Sequence, residues 1–345
     1  MFEALVTLCL AAADVPCRDV LLPGHESAEQ SLCEASLSAS TAADFPDLAA
    51  RGPARCAPAG PALSVEEVAP GVFVHMGAIA EPDTENGGDV ANLGFVIGAR
   101  SVAVIDSGTT RAVGESLWRA IRARTDLPVR HLILTHMHPD HVLGASVFAE
   151  AGAEIVGAEG LARALLDRQQ NYMQSIATLV GPAAFIGTSA PRPDRMVTDW
   201  AEIDLGGRAL VLRTWPLSHT GTDLTLQDRE TGVFFAGDLV FHLHTPALDG
   251  SLLGWQEVMA DLAALPITRL IPGHGGPVLD WPEGAAPMRR YLDVLEADTR
   301  AALDRGDRLA EAVQEIAESE RPHWQLFDAY NPRNATAAFT ELEWE

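Results

Sequence analysis

The chain has 345 residues, 47% hydrophobic and 21% charged, which describes a globular protein and excludes a fibrous or disordered one. Its 24 basic residues face 48 acidic ones, a formal net charge of −24, and a surface of that sign repels nucleic-acid backbones and anionic lipid. No apolar run reaches the roughly 20 residues of a membrane helix, so neither nucleic-acid binding nor membrane insertion is expected.

The first residues read as an export leader. Residues 4–13 (ALVTLCLAAA) are too few to span a bilayer and close on Ala11, Ala12 and Ala13, as the apolar core and cleavage site of a secretory signal do. Residues 1–13 are therefore expected to be removed, and the protein to be periplasmic or secreted. Glu3, with no Lys or Arg beside it, departs from the basic start of such signals; a buried N-terminal helix is the competing reading. Cleavage would leave Cys17, Cys33 and Cys56, with Cys17–Cys33 the preferred disulfide, contributing about 3 kcal/mol by loop entropy. Residues 14–62 hold a short helix over 26–37 and a Pro- and Gly-rich linker at 51–61. This segment is too poor in large apolar residues to hold a core alone and is expected to pack on the main domain.

The main domain is expected over 63–282. Strands are predicted at 71–76, 92–97 and 101–105, the first two separated by a polar loop, 81–89, long enough to overhang a site. Val113, Leu117, Trp118 and Ile121 at helical spacing predict an amphipathic helix over 112–124. A strand at 131–134, a helix over 143–151 and a strand at 154–156 follow. A longer helix over 159–180 carries Arg163, Arg168 and Tyr172, and 181–195 is irregular. Further strands are predicted at 209–212, 224–227, 232–235 and 269–271, with a helix over 255–265. Residues 283–345 form a helical extension, with helices over 286–304 and 309–318. Two β-rich halves, each bounded by helices, predict an α/β fold of two sheets between helical layers, an αββα four-layer sandwich.

Chemistry concentrates at Thr135-His136-Met137-His138-Pro139-Asp140-His141, directly after an apolar run. Imidazole and carboxylate are the ligands of first-row metal ions, and no structural role needs them this densely. Three later β runs end on further candidates: His219 in Ser218-His219-Thr220-Gly221, Asp238 after Gly237, and His274 in Pro272-Gly273-His274-Gly275. Singly, a His or Asp after a strand is more often a cap or surface group. Together they supply five imidazoles and two carboxylates, enough for two metal ions if one carboxylate bridges. No cysteine enters the set, which excludes an all-sulfur structural site.

This order of motifs resembles the metallo-β-lactamase superfamily over about residues 63–280. The resemblance implies a dinuclear site at one edge of the sheets, with one metal on His136, His138 and His219. The other would take Asp140, His141 and His274, with Asp238 bridging. Two Zn²⁺ are the implied cofactors, iron or manganese the alternatives. Asp106, in Ile105-Asp106-Ser107-Gly108, matches the motif whose carboxylate orients the metal loop from behind. Asp238 in the bridging place is similar to hydroxyacylglutathione hydrolases and lactonases rather than to true β-lactamases. Hydrolysis of an ester, thioester or lactone of a small-molecule substrate by metal-activated water is the implied reaction, with Asp140 orienting the water and shuttling its proton.

Outside the core, residues 17–24, 246–250 and 334–344 resemble a narrower group, the quinoprotein relay system zinc metallohydrolases. That resemblance implies a periplasmic quinoprotein system as partner. Competing functions are a mononuclear iron persulfide dioxygenase, a β-lactamase-type amide hydrolase, and a non-catalytic metal-binding accessory protein. His242 and His244, just after Asp238, divide evenly between substrate contact and surface placement. A solvated face is favoured for Arg163, Arg168 and Tyr172, and packing alone for the C-terminal helices.

Overall fold

The computed structural model describes residues 1–10, 16–38, 45, 48–276 and 278–344. β1 (Phe2–Leu10), β2 (Cys17–Ser27), β3 (Leu48–Ala50) and β4 (Arg55–Pro58) form a small antiparallel sheet in which β1 pairs with all three others. β5 (Glu66–Ala69), β6 (Val72–His75), β7 (Leu93–Ile97), β8 (Val102–Ile105), β9 (Val129–Ile133), β10 (Glu154–Ala158) and β11 (Arg195–Val197) form a seven-stranded sheet in sequence order. β12 (Trp200–Asp204), β13 (Ala209–Thr214), β14 (Leu224–Asp228), β15 (Val233–Phe241), β16 (Arg269–His274) and β17 (Leu279–Asp280) form a six-stranded sheet, again in order.

Alternation along the central strands decides the layers. Ala103 and Ile105 of β8 face the second large sheet and pack with Leu210, Leu212, Leu226 and Phe235. Val102 and Val104 face the other way, onto helices. α1 (Gln30–Ser38) lies on the small sheet. α2 (Arg111–Arg122), the short α3 (Pro139–Val142) and α4 (Ser146–Glu150), α5 (Leu161–Val180) and the short α6 (Pro182–Phe185) belong to the seven-stranded side. α7 (Leu252–Ala263), α8 (Ala286–Arg305), the short α9 (Leu309–Ala312) and α10 (Phe327–Leu342) belong to the six-stranded side, where Phe234 and Leu270 meet Trp255, Leu292 and Phe339. The result is an αββα sandwich, the architecture expected from the sequence. α10 is hidden from periodicity because Asn331 and Asn334 occupy its buried face and Pro332 lies within it. No helix among the described residues is long and apolar enough to cross a membrane.

The N-terminal stretch departs from expectation. Residues 4–10, read as part of the apolar core of a leader, belong to the central strand β1 (Phe2–Leu10), with Ala4 and Leu8 fully buried. Glu3, the residue unsuited to a leader, is buried and accepts two hydrogen bonds from Arg119 of α2, both at 2.8 Å. Arg18 of β2 and Arg111 of α2 both bind Glu115, tying the small sheet to the main body. The preferred Cys17–Cys33 disulfide is replaced by two others, Cys9–Cys17 and Cys33–Cys56. The β1–β2 register sets Cys9 opposite Cys17, so the first bond follows from the hairpin. Residues 11–13, the expected cleavage site, lie outside the described residues.

Candidate metal centre

The parallel pairs β8–β9 and β15–β16 end at the same edge of the sandwich, and there the polar residues gather. β9 runs out at Ile133, and Leu134 and Thr135 lead into α3, where Pro139 occupies the first turn. That one turn of helix presents Asp140 and His141, with His138 as its cap. Asp238 and His274 lie on β15 and β16 themselves, and His219 sits in the loop between β13 and β14. Gly237, at φ 54° with its Cα packed on Thr135, lets β15 approach the metal loop; a Cβ there would lie 2.8 Å from that of Thr135.

His138 Nδ1 lies 3.1 Å from His136 Nε2 and 3.0 Å from His219 Nε2. Asp238 Oδ2 is 3.7 Å from His136 Nε2, 3.5 Å from His219 Nε2 and 3.4 Å from His274 Nε2. His274 Nε2 is 3.1 Å from Asp140 Oδ2 and 3.4 Å from His141 Nε2. Two clusters therefore converge, His136, His138, His219 and Asp238 in one and Asp140, His141 and His274 in the other. Asp238 reaches toward both: its Oδ1 is 3.2 Å from His141 Nε2, yet buried without a satisfactory hydrogen bond.

Behind each ring, the other nitrogen is already engaged. His141 Nδ1 donates to Asp106 Oδ2 at 2.8 Å, and the same oxygen accepts from the Thr135 hydroxyl at 2.8 Å. Thr135 Oγ1 in turn faces His136 Nδ1 at 3.0 Å. His219 Nδ1 donates to the Ala247 carbonyl at 2.6 Å, and His274 Nδ1 to the Val90 carbonyl at 3.0 Å. His138 Nε2 meets Asp249 Oδ2 at 3.1 Å, and Arg168 holds that carboxylate at 2.6 Å. These partners each engage an outer nitrogen, which leaves the inner nitrogens of the rings pointing at one another. Nitrogens and carboxylate oxygens that converge in this way are what a cation binds, and the all-nitrogen-and-oxygen donor set suits zinc, iron or manganese. Burial holds His219 down at about 3 and His136 well below its usual range, so both rings stay neutral. Burial opposes protonation of His274 as well, but Asp238 and Asp140 outweigh it and raise that ring to about 9.

A cavity of about 420 Å³ opens over the two clusters. Glu81 and Pro82 of the overhanging loop line it, as do Ile176 and Leu179 of α5 and Leu248. Arg168 and Tyr172 line it too, whereas Arg163 is exposed and pairs with Asp167. His244 is buried in the cavity wall, its ring centroid 4.8 Å from that of His274, while His242 turns its Nδ1 to the Gly276 carbonyl. α10 adds Tyr330, Arg333 and Asn334, so the C-terminal helices do more than pack. The sequence does not single out Tyr330 or Asp223, and it marks Asp249 only as part of the stretch 246–250. Asp223 accepts from the Ser218 hydroxyl at 2.7 Å and from Thr220 N at 2.8 Å, clamping the loop that carries His219. Its signal is its place four residues after that histidine.

The family model of the metallo-beta-lactamase superfamily matches residues 86–274. No curated protein matches by sequence. Among solved structures, a metallo-beta-lactamase from Pontibacter korlensis is 20% identical with a TM-score of 0.55, covering 67% of this chain and 99% of that one. The stereoselective inverting sec-alkylsulfatase Pisa1 from Pseudomonas sp. is 16% identical with a TM-score of 0.62, covering 81% of this chain and 50% of that one. The metallo-beta-lactamase DIM-1 is 15% identical with a TM-score of 0.53, covering 68% and 98%. At these identities the likeness is one of fold.

Proposed function

Because the chain belongs to the metallo-β-lactamase superfamily, and is thus a metal-dependent hydrolase, we propose that it is a dinuclear zinc enzyme cleaving an ester, thioester or lactone. One observation carries this reading: two clusters of inward-facing donors share Asp238, and the outer nitrogen of every histidine among them is pinned. His136, His138 and His219 would hold one ion, and Asp140, His141 and His274 the other, with Asp238 between them. When bound, such ions supply an acidified water and a Lewis acid for the substrate carbonyl.

The chain's own residues do the rest. Asp140, partly open to the cavity, is placed to accept the proton of the attacking water as its oxygen bonds to the carbonyl carbon. The same carboxyl returns that proton to the departing alcohol or thiol as the C–O or C–S bond breaks. Asp106 stays out of contact with substrate and holds His141 and Thr135. Ile176, Leu179 and Leu248 offer an apolar wall for the acyl part and keep bulk water from it. His244 donates from Nδ1 to the Thr245 carbonyl at 2.6 Å, which leaves Nε2 as an acceptor for a substrate hydroxyl or amide.

Two disulfides support an oxidising compartment, and with it export. The stretch 1–13 lends no such support, since residues 2–10 are built into the fold as β1. The quinoprotein partner rests on the resemblance at 17–24, 246–250 and 334–344 alone. Metal analysis of purified protein, followed by assay of thioesters, lactones and a chromogenic cephalosporin against His136→Ala, tests the reading. About two zinc ions per chain and turnover of an ester-like bond are expected. One iron per chain with oxygen uptake would replace hydrolysis by dioxygenation, and no turnover above the variant would leave an accessory protein.

A further inference from the structure

Two stretches singled out by sequence, 246–250 and 334–344, lie apart from the metal motifs and outside each other's neighbourhood in the chain. In the fold they bond to each other. Asn334 of α10 is fully buried, accepts from Leu248 N at 2.9 Å and donates to the Pro246 carbonyl at 2.6 Å. Those two bonds bracket Ala247, whose carbonyl receives His219 Nδ1–H. Two residues further on, Asp249 receives His138 Nε2. About two turns along α10, Glu341 accepts from the Ser251 hydroxyl and from Leu252 N, both at 2.6 Å, closing the other end of the same loop at the start of α7.

The Asn334 amide has no freedom to turn. Its nitrogen also donates to the Tyr291 hydroxyl at 2.7 Å, which in turn donates to Asn331 Oδ1 at 2.9 Å, and Asn331 donates to the Ile316 carbonyl at 2.9 Å. Asn334, Tyr291 and Asn331 are buried among the apolar residues of the helical layer, and all three are satisfied. An apolar residue would fill the same space without the cost of desolvating an amide, so packing alone does not account for Asn334.

We propose that Asn334, with Glu341, is a positioning residue for the metal centre. α10 lies beyond the segment matched by the family model, yet through loop 246–252 it sets the direction of two histidine donors, His219 and His138. The proposal rests on the metal-centre reading above, and its test separates the two. Zinc affinity of wild type, Asn334→Leu and Leu342→Ala is measured by competition with a chromophoric chelator. Leu342 packs in the same helical core but has no polar side-chain atom to bond the loop, so its truncation controls for a merely destabilised helix. Asn334→Leu is expected to weaken zinc binding by about tenfold or more, and Leu342→Ala to leave it near wild type. Equal affinity in wild type and Asn334→Leu, or an equal loss in Leu342→Ala, overturns the proposal. A metal-free readout stands beside it: long-range ¹H–¹⁵N correlations report which nitrogen of His219 carries the proton. Wild type should show the Nδ1–H form and Asn334→Leu a mixture. If wild type binds no zinc, the metal-centre reading fails, and the His219 proton position alone then decides whether Asn334 orients that ring.

Discussion

Asp106 Oδ2 lies 2.8 Å from His141 Nδ1, and Asp106 holds this position at φ 58°, a left-handed conformation uncommon outside glycine, asparagine and aspartate. Its other oxygen accepts from Thr135 N at 2.8 Å, so one carboxylate aligns both the metal loop and a histidine within it. Asn tolerates the same backbone and keeps the shape, but it cannot accept at both oxygens. Asp106→Asn is therefore expected to fold and to lose about 10- to 100-fold in metal affinity and in kcat/KM. Chelator competition and steady-state kinetics measure the two quantities. Unchanged zinc affinity would show that Asp106 only supports the backbone.

Asp238 faces histidines of both clusters, at 3.5 Å from His219 and 3.4 Å from His274. A shared carboxylate holds two like-charged ions close by neutralising part of the charge between them. Asp238→Ala is expected to retain the three-histidine cluster and to drop the zinc content from about two to about one per chain. Plasma emission spectrometry on dialysed protein checks it. A variant that keeps both ions would remove Asp238 from the bridging role.

The metal motif at 135–141 is legible in sequence because ligand residues crowd it, and His219, Asp238 and His274 because each follows a β run. The layers are legible because the central strands are apolar on both faces while α2 is apolar on one. What supports the site is not legible. Asp249 meets His138 across 111 positions and Asn334 meets Leu248 across 86, pairings that only the fold creates. The N-terminus reads two ways for a different reason. A buried central strand and the apolar core of a leader have the same composition, and only the pairing of β1 with β2 distinguishes them.

His75 has no metal role, yet both its nitrogens meet acceptors: Nδ1 the Ser64 carbonyl at 2.8 Å and Nε2 the Asp89 carboxylate at 2.7 Å. Neither partner can donate, so the ring must carry two protons to make both bonds. Burial opposes that charge, but Asp89 outweighs it and raises the His75 pKa above its ordinary 6.5. A raised folded value means stability that is fully present below about pH 6.5 and lost as pH rises through the raised value. Melting temperature should thus fall between pH 6 and pH 9 by a larger amount in wild type than in His75→Gln, which has no charge to lose. Because Asp89 closes the loop that overhangs the cavity, limited proteolysis within 81–89 should quicken over the same range. Parallel melting curves in the two proteins would mean that the pair does not titrate there.

Cys33 and Cys56 join α1 to β4 across 23 positions of chain, and Cys33 is fully buried in the core of the small sheet. That sheet has a small apolar core of its own, to which β1 contributes Val6 and Leu8, and leans on α2 through Arg119 and Glu3. Opening a loop of this length returns conformational entropy to the unfolded chain, worth about 3 kcal/mol. Replacing both cysteines by alanine should therefore lower the unfolding free energy by about that amount in denaturant titrations. Adding reductant to wild type should lower it further, because the Cys9–Cys17 link opens as well. The metal centre shares no residue with this sheet, so zinc content should survive in the double variant. Loss of zinc together with the disulfide would mean that the small sheet supports the αββα core, and is not merely carried by it.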